Sequence, residues 1–274
     1  MTIAPDEYKK FKNFLENACG ITLGEGKQYL ITSRLARLLR TERISSVSEL
    51  LAALQEDNPP YLRDHVIDAM TTNETSWFRD RIPFEVLVKE IFPQWDLENK
   101  KHCKIWSAAC SSGQEPYTIS IALSEYIAGV ATTNLNSAQI IATDISTSML
   151  QEAKQAEYEE NILGRGLTSE RKKRFFERKG ERWRVIDTIR QRVSFKAQNL
   201  LEPYDALGKF DIVFCRNVLI YFAPHRKADI LNRIARSLNP GGVLFLGAAE
   251  TVTGYSDAFN MVRSPSGVYY QRKN

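Results

Sequence analysis

Long apolar runs are missing from this 274-residue sequence. It contains no stretch of 18 consecutive apolar residues, and its first twenty residues include no apolar segment of signal-peptide length. A composition of 43% hydrophobic and 26% charged residues still allows a full core beneath a solvated surface. We therefore expect a soluble cytoplasmic protein, not inserted into membranes, with one large domain and one small domain.

Cysteine and histidine are also scarce. The four cysteines form no C-x-x-C pair, and the three histidines lack metal-ligand spacing. These residues are Cys19, Cys103, Cys110, Cys215, His65, His102 and His225. Reduced, mostly buried thiols and no metal site are the expectation.

Strong net charge is absent as well, since the whole chain carries only +4. The charge is unevenly distributed, because residues 165–192 contain 11 Lys or Arg residues and 4 Asp or Glu residues. Such a basic segment can attract an anionic partner, but a solvated surface is the more common outcome.

What the sequence does contain is a change of pattern near residue 72. Before it, apolar residues such as Phe11, Leu15, Leu35 and Leu38 recur at helical spacing, which predicts a small all-helical domain over residues 1–72. The helical period breaks in TTNETSWFRD, residues 71–80. A second domain is predicted over the remaining residues, 73–274.

Strands and helices alternate in the second domain. KIWSAA, QIIATD, DIVFCRN and VLFLGAAE read as strands, with helices between them such as EPYTISIALSEYIAG and PHRKADILNRIARSLNPGG. This alternation predicts a parallel, doubly wound α/β sheet. Two strand-like runs around a Ser-Pro-Ser-Gly turn predict a hairpin at the end of the chain.

An insertion interrupts this alternation at about residues 160–197. It contains a basic helix, TSERKKRFFERKG, and two short strand-like runs, WRVID and RVSFKA. We interpret it as a small β-subdomain inserted in the sheet domain.

The ends of the predicted strands indicate the ligand. The turn AACSSGQE after the first strand has small residues but no G-x-G-x-x-G, which disfavours a diphosphate. Asp144 ends the second strand, where a carboxylate accepts hydrogen bonds from ribose hydroxyls, although it can equally cap the next helix. An adenosyl ligand without phosphates is S-adenosyl-L-methionine. Asn199 and Asn217 follow two further strands, and an Asn side chain suits an adenine edge or a methionine amino group.

Taken together, TTNETSWFRD, IWSAACSSGQEPYTISI, ATDIS, NLL and CRNVLIYF closely resemble the motifs of the CheR family of chemotaxis receptor methyltransferases, in order and spacing. The resemblance implies a Rossmann-like class I methyltransferase domain, an N-terminal all-helical domain and an inserted antiparallel β-subdomain. It also implies contacts to S-adenosyl-L-methionine from Asn73, Thr75, Arg79, Glu115, Asp144, Asn199, Leu200, Asn217 and Val218. Arg79 and Tyr221 match the family residues nearest the transferred methyl group.

The implied activity is esterification of receptor glutamates, with S-adenosyl-L-homocysteine as the second product, in sensory adaptation. A glutamate carboxylate is already ionised at neutral pH, so the reaction requires no strong general base and no metal. We hypothesise that Tyr221 orients the substrate while Arg79 mainly holds the carboxylate of the cofactor.

A basic helix face in the helical domain is the predicted docking surface for the glutamate-rich helical region of these receptors. It comprises Lys27, Arg34, Arg37 and Arg40. A solvated helix face is the alternative. Family members that tether to a receptor's C-terminal peptide carry a Gly-containing loop in the β-subdomain, whereas ERKGERWRVID is shorter and more charged. We expect no dependence on a receptor tail.

Two other classes remain open. A nucleic-acid methyltransferase would use the basic insertion, but Asn217 is not followed by Pro-Pro and an aromatic residue, and Cys215 lies in an apolar strand instead of being exposed. We therefore expect no nucleic-acid partner. A non-catalytic module that senses the cofactor is the second alternative, although Arg79, Asp144 and Tyr221 argue against loss of activity.

Overall fold

The first part of the chain folds into helices. The computed structural model describes residues 3–274. Four helices come first: α1 (Pro5–Cys19), α2 (Gln28–Thr41), α3 (Val47–Gln55) and α4 (Tyr61–Met70). Apolar residues at helical spacing, including Phe11, Leu15, Ile31 and Leu35, are fully buried between these helices. The predicted all-helical domain is confirmed.

The second part of the chain is built on a seven-stranded sheet. Its strands are β1 (Lys104–Ala108), β2 (Gln139–Asp144), β6 (Val193–Ala197), β7 (Phe210–Cys215), β8 (Leu238–Leu246), β9 (Phe259–Ser264) and β10 (Gly267–Arg272). They lie in the order β6-β2-β1-β7-β8-β10-β9, and the first five are parallel. β9 and β10 form the predicted antiparallel hairpin at one edge.

Helices cover both faces of this sheet. They are α5 (Ile82–Val86), α6 (Phe92–Leu97), α7 (Gln114–Gly129), α8 (Thr147–Gln155), α9 (Glu160–Leu163), α10 (Ser169–Phe175), α11 (Asp187–Arg190) and α12 (Pro224–Ser237). Because side chains alternate along a strand, Ile212 and Phe214 of β7 pack on the α7 side. Val213 and Cys215 pack on the α12 side. This is the predicted doubly wound, Rossmann-like architecture.

None of the helices formed by residues 3–274 is long and apolar enough to cross a bilayer.

Helix α12 is shorter than the sequence predicts. The predicted helix extended to the Gly-Gly pair at 241–242, but α12 ends at Ser237. Leu238 adopts an extended conformation and pairs with Phe210, so the NPGG segment lies within strand β8. Pairing with the neighbouring strand prevailed over the Gly stop signal.

The inserted β-subdomain has different limits from those predicted. Its antiparallel sheet consists of β3 (Glu157–Tyr158), β4 (Phe176–Lys179) and β5 (Arg182–Val185), in the order β3-β5-β4. The assignment of RVSFKA to this subdomain is wrong, because residues 193–197 form β6 and pair in parallel with β2. The ring of Phe195 packs edge-on against Tyr117 of α7, with the ring centroids 5.7 Å apart, which fixes β6 to the main sheet.

Trp77 anchors the segment after α4 to the β-subdomain. Its indole is buried and lies edge-on to Tyr158 and Phe176, with centroid distances of 5.0 and 5.1 Å. Gly166 lies directly against the Trp77 carbonyl, since a β-carbon at position 166 would lie 1.9 Å from that oxygen. Gly166 also has a φ of +106°. The approach of the two backbones therefore requires glycine here.

Replacing Gly166 with Ala should destabilise the protein by about 3 kcal/mol or more, because a backbone carbonyl cannot move away as a flexible side chain can. The matched control is Gly180→Ala, where φ is also positive at +61° but nothing lies within 4 Å of the added carbon. The control should cost about 1 kcal/mol. Denaturant unfolding measures both, and equal losses would contradict the proposed close approach.

Candidate functional site

The carboxyl ends of β6, β2, β1 and β7 open into one cleft of about 970 Å³, part of which is open to solvent. The end of α1 and the linker that follows α4 complete its walls. All the residues that the sequence predicted for cofactor binding and methyl transfer line this cleft: Asn73, Thr75, Arg79, Glu115, Asp144, Asn199, Leu200, Asn217, Val218 and Tyr221. The structure therefore brings together residues from five separate segments of the chain.

The turn after β1 is tightly folded. Ala109, Ser111 and Gly113 have φ values of +57°, +50° and +94°. Two of these are not glycine, so their left-handed conformation costs roughly 1–2 kcal/mol each. Hydrogen bonds from Ser111 offset this cost, since its amide donates to Asp144 Oδ2 at 2.7 Å and its hydroxyl donates to the Asn73 carbonyl at 2.8 Å.

Asp144 is almost fully buried at the end of β2. Its Oδ1 accepts the amide of Ser146 at 2.9 Å. Ser146 itself caps helix α8, through a hydrogen bond from the Met149 amide to its Oγ at 3.1 Å, so the helix-cap role considered for Asp144 falls to Ser146. Burial raises the pKa of the Asp144 carboxyl, while the amide hydrogen bonds oppose this shift. Each carboxylate oxygen retains acceptor capacity toward the cleft.

Arg216, which the sequence analysis did not single out as a site residue, is the central buried charge. Its side chain is 2% exposed and forms ion pairs with Glu115 at 2.8 Å and Asp80 at 2.7 Å. It also donates to the Arg79 carbonyl at 2.8 Å. The other oxygen of Glu115 accepts the Ser107 hydroxyl at 2.8 Å. An arginine directly after an apolar strand was the available sequence signal.

Glu250 is a second residue that the sequence analysis missed. Its carboxylate accepts four backbone amides: those of Gly247 and Asn217 at 2.7 Å, of Val218 at 2.9 Å and of Ile220 at 3.3 Å. Asn217 has a φ of +58°. Gly247 allows this packing, because a β-carbon there would lie 2.7 Å from the Glu250 carboxylate. Glu250 thus fixes the loop that leads to Tyr221.

The helical domain closes the cleft from the opposite side. The amide and hydroxyl of Thr22 both donate to the Tyr221 carbonyl at 2.9 Å, and Ile21 forms a bridge with Phe222. The side-chain amide of Asn199 donates to the Ala18 carbonyl at 2.8 Å. Asn199 Oδ1 accepts the Leu201 amide at 3.0 Å, so this side chain also ties the cleft wall to the helical domain.

The cysteines are free and buried in the described part of the chain, as predicted from the sequence. Cys110 lines the cleft, but burial raises the pKa of its thiol well above the usual range. Burial does the same to Cys215. Neither thiol is therefore suited to act as a nucleophile at neutral pH. Over residues 3–274, no group of His, Cys, Asp and Glu side chains has the arrangement of a metal site.

Comparison with known proteins agrees with this architecture. Residues 6–71 match the family described as "CheR methyltransferase, all-alpha domain", and residues 73–268 match "CheR methyltransferase, SAM binding domain". The chain belongs to the CheR methyltransferase family.

Relatives in this family are similar over nearly their whole length. The chain is 50% identical to the chemotaxis protein methyltransferase Cher2 of Pseudomonas putida, covering 97% of this chain and 98% of the relative. It is also 50% identical to chemotaxis protein methyltransferase 1 of Pseudomonas aeruginosa, with full coverage of both chains. Chemotaxis protein methyltransferase 1 of Vibrio cholerae is 49% identical over 100% of this chain and 99% of that one.

S-adenosylmethionine is the methyl donor of a CheR enzyme, and the cleft has the chemistry to hold it. Buried Asp144 offers carboxylate oxygens to ribose hydroxyls at the end of β2. The tight turn at 109–113 brings the backbone to the edge of the cleft. Glu115 is an acid at the start of α7 that can accept hydrogen bonds from an ammonium group.

The basic face of α2 in this CheR chain, defined by Lys27, Arg34, Arg37 and Arg40, is only partly free. Lys27, Arg37 and Arg40 are exposed. Arg34 is half-buried and donates to the Thr71 carbonyl at 3.1 Å, to the Thr72 hydroxyl at 2.7 Å and to the Met70 carbonyl. Its guanidinium therefore binds the linker between the domains. The sequence had suggested instead that this side chain is free for docking.

Arg34→Ala should weaken S-adenosylmethionine binding about five- to tenfold, because it releases the linker residues Thr71 and Thr72 that line the cleft. Arg37→Ala, three residues along the same helix, is the matched control and should leave this affinity unchanged. Isothermal titration calorimetry measures both. If the two variants bind the cofactor equally, the linker does not depend on Arg34.

The positive charge of the basic insertion is largely neutralised by acidic residues outside the segment 165–192 over which the charges were counted. Arg171 pairs with both oxygens of Glu125 at 2.8 and 2.9 Å. Three further cations of the insertion pair with nearby acids: Lys172 with Glu160, Lys179 with Glu157, and Arg182 with Glu159. All four acids lie outside residues 165–192, so the local excess of positive charge is smaller in the fold than in the sequence window.

Proposed function

We propose that this CheR protein transfers the methyl group of S-adenosylmethionine to glutamate side-chain carboxylates of methyl-accepting chemotaxis receptors. The products are glutamate methyl esters and S-adenosylhomocysteine, in sensory adaptation. The observation that carries the proposal is that Arg79, Glu115, Asp144 and Tyr221 line a single cleft closed by the helical domain. The names of its relatives, chemotaxis protein methyltransferases, agree with this function.

The residues of the cleft suit a carboxylate nucleophile. S-adenosylmethionine supplies an electrophilic methyl group on a sulfonium centre. A glutamate is ionised at neutral pH, so the protein has to desolvate and orient it and does not have to remove a proton. We assign this orientation to the Tyr221 hydroxyl. Arg79 uses Nη1 to bind the Glu74 carbonyl at 2.9 Å, which leaves its other donors to hold the carboxylate of the cofactor.

We further propose that receptor recognition uses Lys27, which directly precedes α2, together with Arg37 and Arg40 of α2, and does not require a receptor tail. These cations complement a glutamate-rich helical region. In the β-subdomain, Lys179 pairs with Arg182, so β4 and β5 are joined by a two-residue turn, Gly180-Glu181. So short a turn offers no extended loop on which a tail peptide could dock.

The proposal is tested by incubating the protein with labelled S-adenosylmethionine and receptor-containing membranes, followed by mild alkali. Carboxyl methyl esters hydrolyse in alkali whereas N-methyl groups do not, so base-labile label on the receptor is expected. Alkali-stable label on nucleic acid would indicate a nucleic-acid methyltransferase instead. Cofactor binding without transfer would indicate a sensing module.

Tyr221→Phe should lower kcat roughly 10- to 100-fold while the affinity for S-adenosylmethionine is retained, because the ring is kept and only the orienting hydroxyl is lost. The matched control is Tyr29→Phe, which removes a hydroxyl from a side chain of α2 that is 63% exposed. Initial rates at saturating cofactor provide the measurement. Full turnover in Tyr221→Phe would refute the role of its hydroxyl.

A further inference from the structure

A second, more open groove of about 850 Å³ lies beside the cofactor cleft. Its walls are residues 76–81 on one side and Arg165 with Gly166 on the other. It shares Ser76 and Arg79 with the cleft, so the groove adjoins the cleft at Arg79. We call it the arginine groove, after Arg79, Arg81 and Arg165.

The backbone of residues 78–81 is shaped to form this groove. Phe78, Asp80 and Arg81 have φ values of +49°, +65° and +48°, an unusual run for residues other than glycine. Phe78 is buried, whereas Arg81 is exposed. Such strained conformations persist only where the surroundings impose them, and they concentrate at functional sites.

The acid within the groove is already paired. Asp80 accepts from buried Arg216 at 2.7 Å, so part of its charge is offset within that ion pair. Arg165 pairs with Glu74 at 3.0 Å, but the two side chains are 51% and 68% exposed. An ion pair this exposed is worth little and can exchange for another carboxylate. The groove therefore presents cationic side chains to an incoming acidic group.

We infer that the arginine groove binds acidic side chains that flank the target glutamate in the protein substrate, chiefly through Arg81 and Arg165. This inference rests on the proposed function. Guanidinium groups match carboxylates in charge and geometry. Because the groove adjoins the cleft at Arg79, a carboxylate bound there belongs to a residue near the one being methylated. The groove thereby selects glutamates that lie in acidic surroundings.

The test uses the full-length protein with receptor-containing membranes at low and high salt. The variants are Arg81→Gln, Arg81→Glu and Arg165→Gln, and the matched control is Arg263→Glu on β9, an exposed arginine outside both the cleft and the groove. The measurements are KM for receptor and kcat, together with cosedimentation of the protein with the membranes and calorimetric affinity for S-adenosylmethionine.

Each neutral variant should raise the receptor KM about threefold at low salt, and Arg81→Glu about tenfold, because a like charge then faces the substrate. Cosedimentation should weaken in the same order, high salt should reduce the differences, and cofactor affinity should not change. Arg263→Glu should behave as the unsubstituted protein.

Two outcomes would overturn the inference while the proposed function stands: an unchanged receptor KM in all groove variants, or an equal effect of Arg263→Glu. Weaker cofactor binding in step with the higher KM would also overturn it, because the arginines would then support the cofactor cleft. An unsubstituted protein that forms no base-labile ester on receptor refutes the proposed function, and the inference fails with it. Duplex DNA is the competitor that tests the alternative. If DNA abolishes receptor binding by the unsubstituted protein and this effect is lost in the Arg81 and Arg165 variants, the groove binds nucleic acid instead.

Discussion

The buried guanidinium of Arg216 connects three of the segments that line the cleft. It extends from the end of β7, binds Glu115 at the start of α7, and binds both Asp80 and the Arg79 carbonyl after the linker. A buried charge without partners costs several kcal/mol, so separating any one of these segments from the others is strongly unfavourable. The backbone position of Arg79 and the direction of Glu115 are consequences of this one set of contacts.

Carboxylates elsewhere in the site act mainly on the backbone. Asp144 accepts amides of Ser111 and Ser146, and Glu250 accepts four amides around the loop at 217–220. In both places a residue other than glycine, Ser111 or Asn217, is left-handed. Hydrogen bonds to a charged acceptor are stronger than those between neutral groups, so they can offset the conformational cost. The shape of the cleft therefore depends on acids that do not themselves react.

The sequence predicted the architecture well because it depends on local periodicity. Short apolar runs that alternate with helical segments identified the parallel strands, and the small-residue turn with Asp144 located their carboxyl ends. The pattern of RVSFKA identified a strand but not its partner, since the choice between β2 and the β-subdomain depends on packing of Phe195 against α7.

The hydrogen-bond partners of individual side chains were harder to predict than the helices and strands. Helical spacing placed Arg34 on the basic face, yet nothing in that spacing shows that the carbonyl of Thr71, 37 residues away in the linker, lies within its reach. Glu250 was missed for a related reason: its partners are backbone amides, which carry no sequence signature. The resemblance to the CheR family supplied the residues predicted to bind the cofactor, whereas the supporting contacts of Arg216 and Asn199 emerged only from the fold.

The helical domain and the cofactor cleft share a wall, built where Thr22 binds Tyr221, Ala18 binds Asn199, and Arg34 holds the linker. The two domains are consequently not interchangeable parts. A chimera that carries the N-terminal domain of another family member would also replace the helical-domain residues that form one wall of the cleft. Exchanging the helical domain therefore also changes the cleft, and a working chimera requires residues 18–22 and 70–72 that match the sheet domain that receives them.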